Sequence, residues 1–149
     1  MDERPVPVCT QYEDATADLV IAELNRRRVP VLRFDPGRDF PASATLAART
    51  GVTGWSGRLT VGERTADLAA VRALYHRRPS PYPADSGDQA ARFAAQENRR
   101  GLGGVLGALS GCLYLSHPQA IARAGRVQAR AIGRGDTRRA HGSGNPDHE

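Results

Sequence analysis

Apolar positions in this chain fall into short blocks, and the spacing within the blocks changes along its length. Val6-Pro7-Val8-Cys9-Thr10 is a compact run of strand length, with Pro7 tolerable because it sits at the beginning of the strand. Ala17, Val20, Ile21 and Leu24 then recur at helical spacing. Asp14 and Asp18 crowd the start of that helix and Arg26-Arg27-Arg28 its end, each sign where the helix dipole favours it. Val29-Pro30-Val31-Leu32-Arg33-Phe34-Asp35 follows as a second strand and stops at Pro36-Gly37, a turn pair. Strand, helix and strand with short joints predict a βαβ unit with parallel strands and a right-handed crossover.

The pattern then changes. Residues 43–49 and 54–61 flank a glycine-bounded turn and predict a β-hairpin, with Trp55 available to cover one face. Residues 64–68 are too short to assign, and Asp67 to Val71 suggest a turn of helix. Ala73-Leu74-Tyr75-His76-Arg77 predicts another strand, running into the extended Pro79-Ser80-Pro81-Tyr82-Pro83 loop. Asp88 is placed to cap a helix from Gln89 to Leu109, whose apolar side is Ala91, Ala94, Ala95, Leu102, Val105 and Leu106. Gly101, Gly103, Gly104 and Gly107 weaken that helix and would permit close packing on a sheet. Gly111 to Leu115 predicts the last strand, and Pro118 suits the first position of a short helix. The expected fold class is α/β: a small, mainly parallel sheet flanked by helices, with a hairpin insertion.

Composition changes this picture only at the margins. Of 149 residues, 40% are hydrophobic and 5% aromatic, so a core must rest on aliphatic side chains. The net charge is +5, and all 21 basic residues are Arg. They are dispersed rather than striped, which argues against nucleic acid as a partner. Cys9 and Cys112 show no metal or disulfide spacing and read as small buried thiols of a cytoplasmic protein. There is no signal peptide pattern or membrane-length apolar run. The tail from 125 to 149 is Arg- and Gly-rich without periodicity, so the expected division is a domain over 1–124 and a disordered tail.

Candidate chemistry is sparse. No Gly-rich phosphate loop follows a strand, and the four His have no ligand spacing. The pointed feature is Arg77-Arg78-Pro79-Ser80 at the carboxyl end of a strand, where α/β sheets place ligand loops. Two guanidiniums there could hold a phosphate or a peptide carboxylate, or could pair with Asp35 or Asp39 and brace an interface. Arg77, Arg78, Ser80 and Asp35 are the candidate binding or interface residues. Asp14 and Asp18 read as helix caps, and Trp55 as a core or hairpin-face residue.

The order of Asp14-x-Thr16-Ala17-Asp18-x-Val20-Ile21-x-Glu23-Leu24, Val31-Leu32-Arg33-Phe34-Asp35, Gly54-Trp55-x-Gly57, Tyr75-x-Arg77-Arg78-Pro79 and Cys112-Leu113-Tyr114-Leu115-Ser116-His117-Pro118 resembles a known family. It is similar to the pre-ATP-grasp domain of ATP-grasp ribosomal peptide maturases, the microviridin or graspetide ligases. The resemblance implies an ATP-dependent ligase that activates a side-chain carboxylate of a precursor peptide and closes an ester or amide crosslink. It implies ATP and Mg²⁺ bound by a following ATP-grasp domain, with no catalytic residue in the region seen here. It also implies a precursor peptide, an intact maturase or a second copy of the chain as partners. Beyond His117-Pro118 the family's further segments are missing. With suitable codons, residues 127–133 and 142–148 shifted by one base read Ser-Lys-Pro-Glu-Gln-Leu and Val-Pro-Glu-Thr-Leu-Ile. The expectation is therefore a ligase front domain, truncated and inactive alone, with its tail out of frame. A stand-alone module that binds a precursor peptide or a maturase is the alternative.

Overall fold

A computed structural model describes residues 3–82, 88–121 and 123–124. The chain divides into Met1–Pro118, which holds every element below, and Gln119–Glu149. The expectations for the tail from 125, its reading frame included, fall outside the described residues.

Four strands form a wholly parallel sheet: β1 (Val6–Cys9), β2 (Val31–Phe34), β6 (Ala73–His76) and β7 (Leu113–Leu115), in the order β2-β1-β6-β7. A second, antiparallel sheet orders β3 (Ala44–Gly51), β4 (Gly54–Val61) and β5 (Arg64–Asp67). The fold is α/β, as the periodicity predicts, but the insertion is three-stranded. Arg64–Asp67, too short to assign from sequence, pairs with Arg58–Val61 because β4 offers it a ready edge. A 3-10 turn, Leu68–Ala70, then begins with Asp67 accepting from the Ala69 N–H at 2.9 Å.

Helix α1 (Ala15–Arg26) and α3 (Gln89–Leu106) cover opposite faces of the parallel sheet. Ala17, Ile21 and Leu24 of α1 pack with Val6, Val8, Val31 and Tyr75. Leu102, Val105 and Leu106 of α3 join Cys9, Leu32, Phe34 and Leu74, with Leu59 and Ala66 of the second sheet. Alternation along a strand sends Val8 one way and Cys9 the other. The two crossovers run in opposite directions from the β1–β6 pair, so a shared right hand puts their helices on opposite sides.

Helix α1 ends without glycine. Arg28 takes φ 57°, its N–H bonds to the Asn25 carbonyl at 2.9 Å, and the Val29 N–H bonds to the Leu24 carbonyl at 3.0 Å. That is a Schellman closure with arginine in the left-handed position. Pro7 sits in a central strand, not an edge. Val6 and Thr10 direct their N–H groups toward β2, so Pro7 lacks a donor only on the other side, before β1 begins pairing with β6 at Val8.

Two expectations need correction. Pro36–Asp39 is a single helical turn, α2, rather than a bare turn pair. The glycines of α3 do not mediate close packing, since a Cβ at Gly101, Gly103 or Gly104 would meet nothing within 4 Å. Only the C-terminal part of α3 reaches the core, while Ala91 and Ala94 are exposed and Phe93 is 65% exposed. Tyr114 closes the α3 end, donating to the Leu106 carbonyl at 2.8 Å and accepting from the Leu109 N–H at 2.9 Å.

Candidate functional site

Strand order places the topological switch between β1 and β6, whose following connections leave toward opposite sides. In open α/β sheets a crevice for ligands opens outside the carboxyl ends of such strands. Here the loops after β1 and β6 meet across it. The Arg77 N–H bonds to the Cys9 carbonyl at 3.0 Å, and the Gln11 N–H to the Arg78 carbonyl at 2.8 Å.

Side chains complete the closure. Arg77 Nε donates to both oxygens of Asp14, at 3.0 and 2.7 Å. Asp14 is buried, caps α1 by accepting from the Ala17 N–H at 3.2 Å, and accepts from the Thr10 hydroxyl at 2.8 Å. Burial alone would raise its carboxyl. The bonds from Thr10, Ala17 and Arg77 outweigh that and hold it below the ordinary carboxylate range. The sequence offers Asp35 or Asp39 as partners for the arginines, but the structure gives Arg77 to Asp14. Asp14 is reached because the α1 cap lies beside the adjacent strand's end.

Asp35 and Ser80 do come together. Asp35, fully buried, accepts from the Ser80 N–H at 2.8 Å and the Ser80 hydroxyl at 2.6 Å. This latch lays the proline-rich loop on α2 so closely that a Cβ at Gly37 would sit 2.4 Å from the Ser80 carbonyl oxygen. Asp39, also buried, accepts from the Asp35 N–H at 2.7 Å, the Tyr12 hydroxyl at 2.8 Å and the Ser43 hydroxyl at 3.2 Å. Burial first, and then Asp39, push the Tyr12 phenol up to about 12. The Arg33 and Arg38 guanidiniums lie 5.6 and 5.3 Å from its ring centroid. Arg33 pairs with Asp18 and donates to the Gln11 and Tyr12 carbonyls at 2.9 and 2.7 Å.

Of the four candidates, Arg77, Ser80 and Asp35 are engaged within the chain. Arg78 is exposed, with no side-chain bond among the described residues. Thr10, Tyr12 and Arg33 belong to the same network and were not singled out from sequence, whereas Asp39 was named only as a possible partner of the arginines. Arg33, a charge within the apolar run Val31–Phe34, was the available signal.

The buried carboxylates Asp14, Asp35 and Asp39 each accept from N–H and O–H donors of the chain. Among the described residues no group of three or more His, Cys, Asp or Glu could hold a metal. Elsewhere, His76 at the end of β6 is half-buried, and burial with the nearby His117 lowers its pKa. No described helix is long and apolar enough to cross a membrane.

The fold is similar to that of macrocyclase MdnC from Microcystis aeruginosa MRC, solved bound with precursor peptide MdnA: 26% identity, TM-score 0.62, 75% of this chain and 36% of that one. It is similar to macrocyclase MdnB from the same organism at 22% identity and TM-score 0.68, over 81% of this chain and 40% of that one. A Chryseobacterium gregarium RiPP-associated ATP-grasp ligase, in complex with ADP and a leader and core peptide, matches at 20% identity and TM-score 0.66. That match covers 88% of this chain and 41% of the other. The chain thus spans well under half the length of each. Among curated proteins none matches. The model of the MvdD pre-ATP grasp domain matches residues 7–122, most of the chain, and the chain belongs to that family.

Proposed function

We propose that this domain is the front scaffold of an ATP-grasp ligase that crosslinks a ribosomal precursor peptide through ester or amide bonds. The observation that carries the reading is the family match over 7–122. The braced switch-point crevice agrees with it. A domain whose crevice carboxylates are all bonded within the chain suits a wall that holds shape, not a centre that binds nucleotide. ATP and Mg²⁺ belong, in this reading, to an ATP-grasp domain. The relatives MdnC and the Chryseobacterium gregarium ligase, with peptide in their structures, support a precursor peptide as substrate. The purified chain alone is expected to show no ATP turnover. Measured ATP hydrolysis above a heat-treated control would overturn the reading.

Arg78 favours a second reading, a module that binds a precursor peptide or an intact ligase. Its guanidinium is exposed and makes no side-chain bond among the described residues. Pull-down of a precursor peptide, or of an intact ligase, by the chain and by Arg78→Ala separates the two. Capture that Arg78→Ala abolishes supports the module, and no capture leaves the scaffold reading alone. Arg77 is unsuited to this test because its loss exposes Asp14 to an unpaired burial.

A further inference from the structure

Among the described residues, the outer edge of β3 is the longest open strand edge. Ala44–Gly51 pairs with β4 along its whole length on one side, and no described strand pairs with the other. Such an edge presents alternate N–H and carbonyl groups as a template for another strand. Native edges are usually blunted by proline, lysine, a bulge or brevity. The β3 sequence Ala-Thr-Leu-Ala-Ala-Arg-Thr-Gly has no proline, lysine or bulge over eight residues of continuous register, and Arg49 is its one charge.

The solvent face beside this edge is small and positive. Register puts Thr45, Ala47 and Arg49 on the same face as Thr60, Arg58 and Ser56. That face is opposite to the one carrying buried Ala44 and Leu59. Arg49 donates only to the Ser56 hydroxyl, at 3.3 Å. Arg58 is exposed and has no ion pair among the described residues. Its cross-strand neighbour Asp67 turns instead to the Ala69 N–H at 2.9 Å. Arg49 on β3 and Arg58 one strand further in thus face solvent on the same side of the sheet, neither in an ion pair among the described residues.

We propose that β3 takes an extended, acidic segment of the precursor peptide as an added strand, with Arg49 and Arg58 pairing its carboxylates. The source of the partner rests on the ligase reading, whereas the geometry of the edge does not. A second copy of this chain fits less well, because pairing β3 with β3 would gather four arginines on one face. Strand addition supplies affinity through the main chain, and the arginines supply the preference for acidic side chains.

The test uses the full chain and a fluorescent synthetic peptide alternating threonine with glutamate, read by anisotropy. The peptide should bind and weaken as salt rises. Arg49→Gln with Arg58→Gln, which sets no like charge opposite Asp67, should weaken it by about tenfold without changing thermal unfolding. Two further peptides carry backbone N-methyl groups on one or the other alternate set of residues. An added strand turns only one set toward β3, so one methylated peptide should lose about tenfold and the other should bind as before. Equal binding of both would mean that side chains alone are recognised and would overturn the proposal. So would absence of binding, or self-association of the chain through β3 in its place. Failure here, with precursor crosslinking by a full-length relative left intact, would remove the edge and spare the ligase reading. ATP turnover by the chain alone would do the reverse.

Discussion

The switch-point crevice and the outer edge of β3 carry similar chemistry and put it to opposite use. Both are lined by arginine, backbone amides and short polar side chains. At the crevice the described groups turn inward. Asp14 takes Arg77, Asp35 takes Ser80, Asp39 takes Tyr12, and the facing loops exchange main-chain bonds. On the solvent face beside the β3 edge, among the described residues, Arg58 of β4 has no ion pair and Arg49 bonds to a serine hydroxyl. Position in an α/β sheet is thus a weaker guide to binding than the hydrogen-bond account. Strand ends mark where a ligand can approach, but groups already bonded to each other have little left to offer it.

Two glycine substitutions break the regions separately. Gly57 has φ 136°, and a Cβ there would lie 2.0 Å from the Ala47 carbonyl oxygen. Gly57→Ala should cost about 4 kcal/mol, from backbone strain plus displacement of β3, and should abolish binding at the edge. Gly37→Ala forces the proline-rich loop off α2 and should cost about 3 kcal/mol. Denaturant unfolding measures both, and anisotropy with the acidic peptide should fail only for Gly57→Ala among folded molecules. Loss of peptide binding in folded Gly37→Ala would merge the two regions.

The ion pair gives the next effect. Arg77→Ala leaves the Asp14 carboxylate buried without its cation and should cost about 2 kcal/mol. The fold holds the Asp14 carboxyl below its ordinary 3.8, so its contribution is complete above that pH and is lost as pH falls through the lower folded value. Unfolding midpoints of wild type and Asp14→Asn, followed from pH 6 down, should therefore converge in acid. Parallel curves would remove the ion pair from the account. Tyr12 works in the other direction. Its phenol rises from 10 to about 12 in the fold, so the stability it confers is complete below pH 10 and lost as pH rises toward 12. Tyr12→Phe should cost about 1 kcal/mol at neutral pH and flatten that alkaline loss.

These contrasts also mark what was legible in the sequence. The βαβ unit was readable because Ala17, Val20, Ile21 and Leu24 keep one period and Asp14 and Arg26 mark the ends. The hairpin was readable from glycine and alternation. β5 was not, because four residues carry no period of their own and exist as a strand only through β4. The α3 glycines misled, since composition cannot tell a packed glycine from one facing solvent. At the site, Asp35 and Ser80 were each candidates, but their bond to one another was not read from the sequence, which offered Asp35 to the arginines instead. The partner of Arg77 did not follow, because Asp14 is 63 residues away and its capping role alone accounted for it. Openness of the β3 edge is a property of topology, visible only once the strand order is known.

The smallest expected effect is the most exacting for the comparison. Arg78→Ala and Arg58→Ala remove guanidiniums that make no described side-chain bond, one from each region. Each should change stability by no more than about 0.5 kcal/mol, the usual range for an exposed side chain away from a packed feature. One substitution lies in the loop after β6 and the other in β4, with no shared partner among the described residues, so the double variant should equal the sum of the singles. Urea unfolding with an unchanged slope measures all three. A loss above about 1 kcal/mol for Arg58→Ala would mean that its charge is already satisfied within the fold. The β3 face would then be braced like the crevice, and the contrast between them would be gone. The same loss for Arg78→Ala would extend the crevice network to its rim and take away the one candidate there still free to meet a ligand.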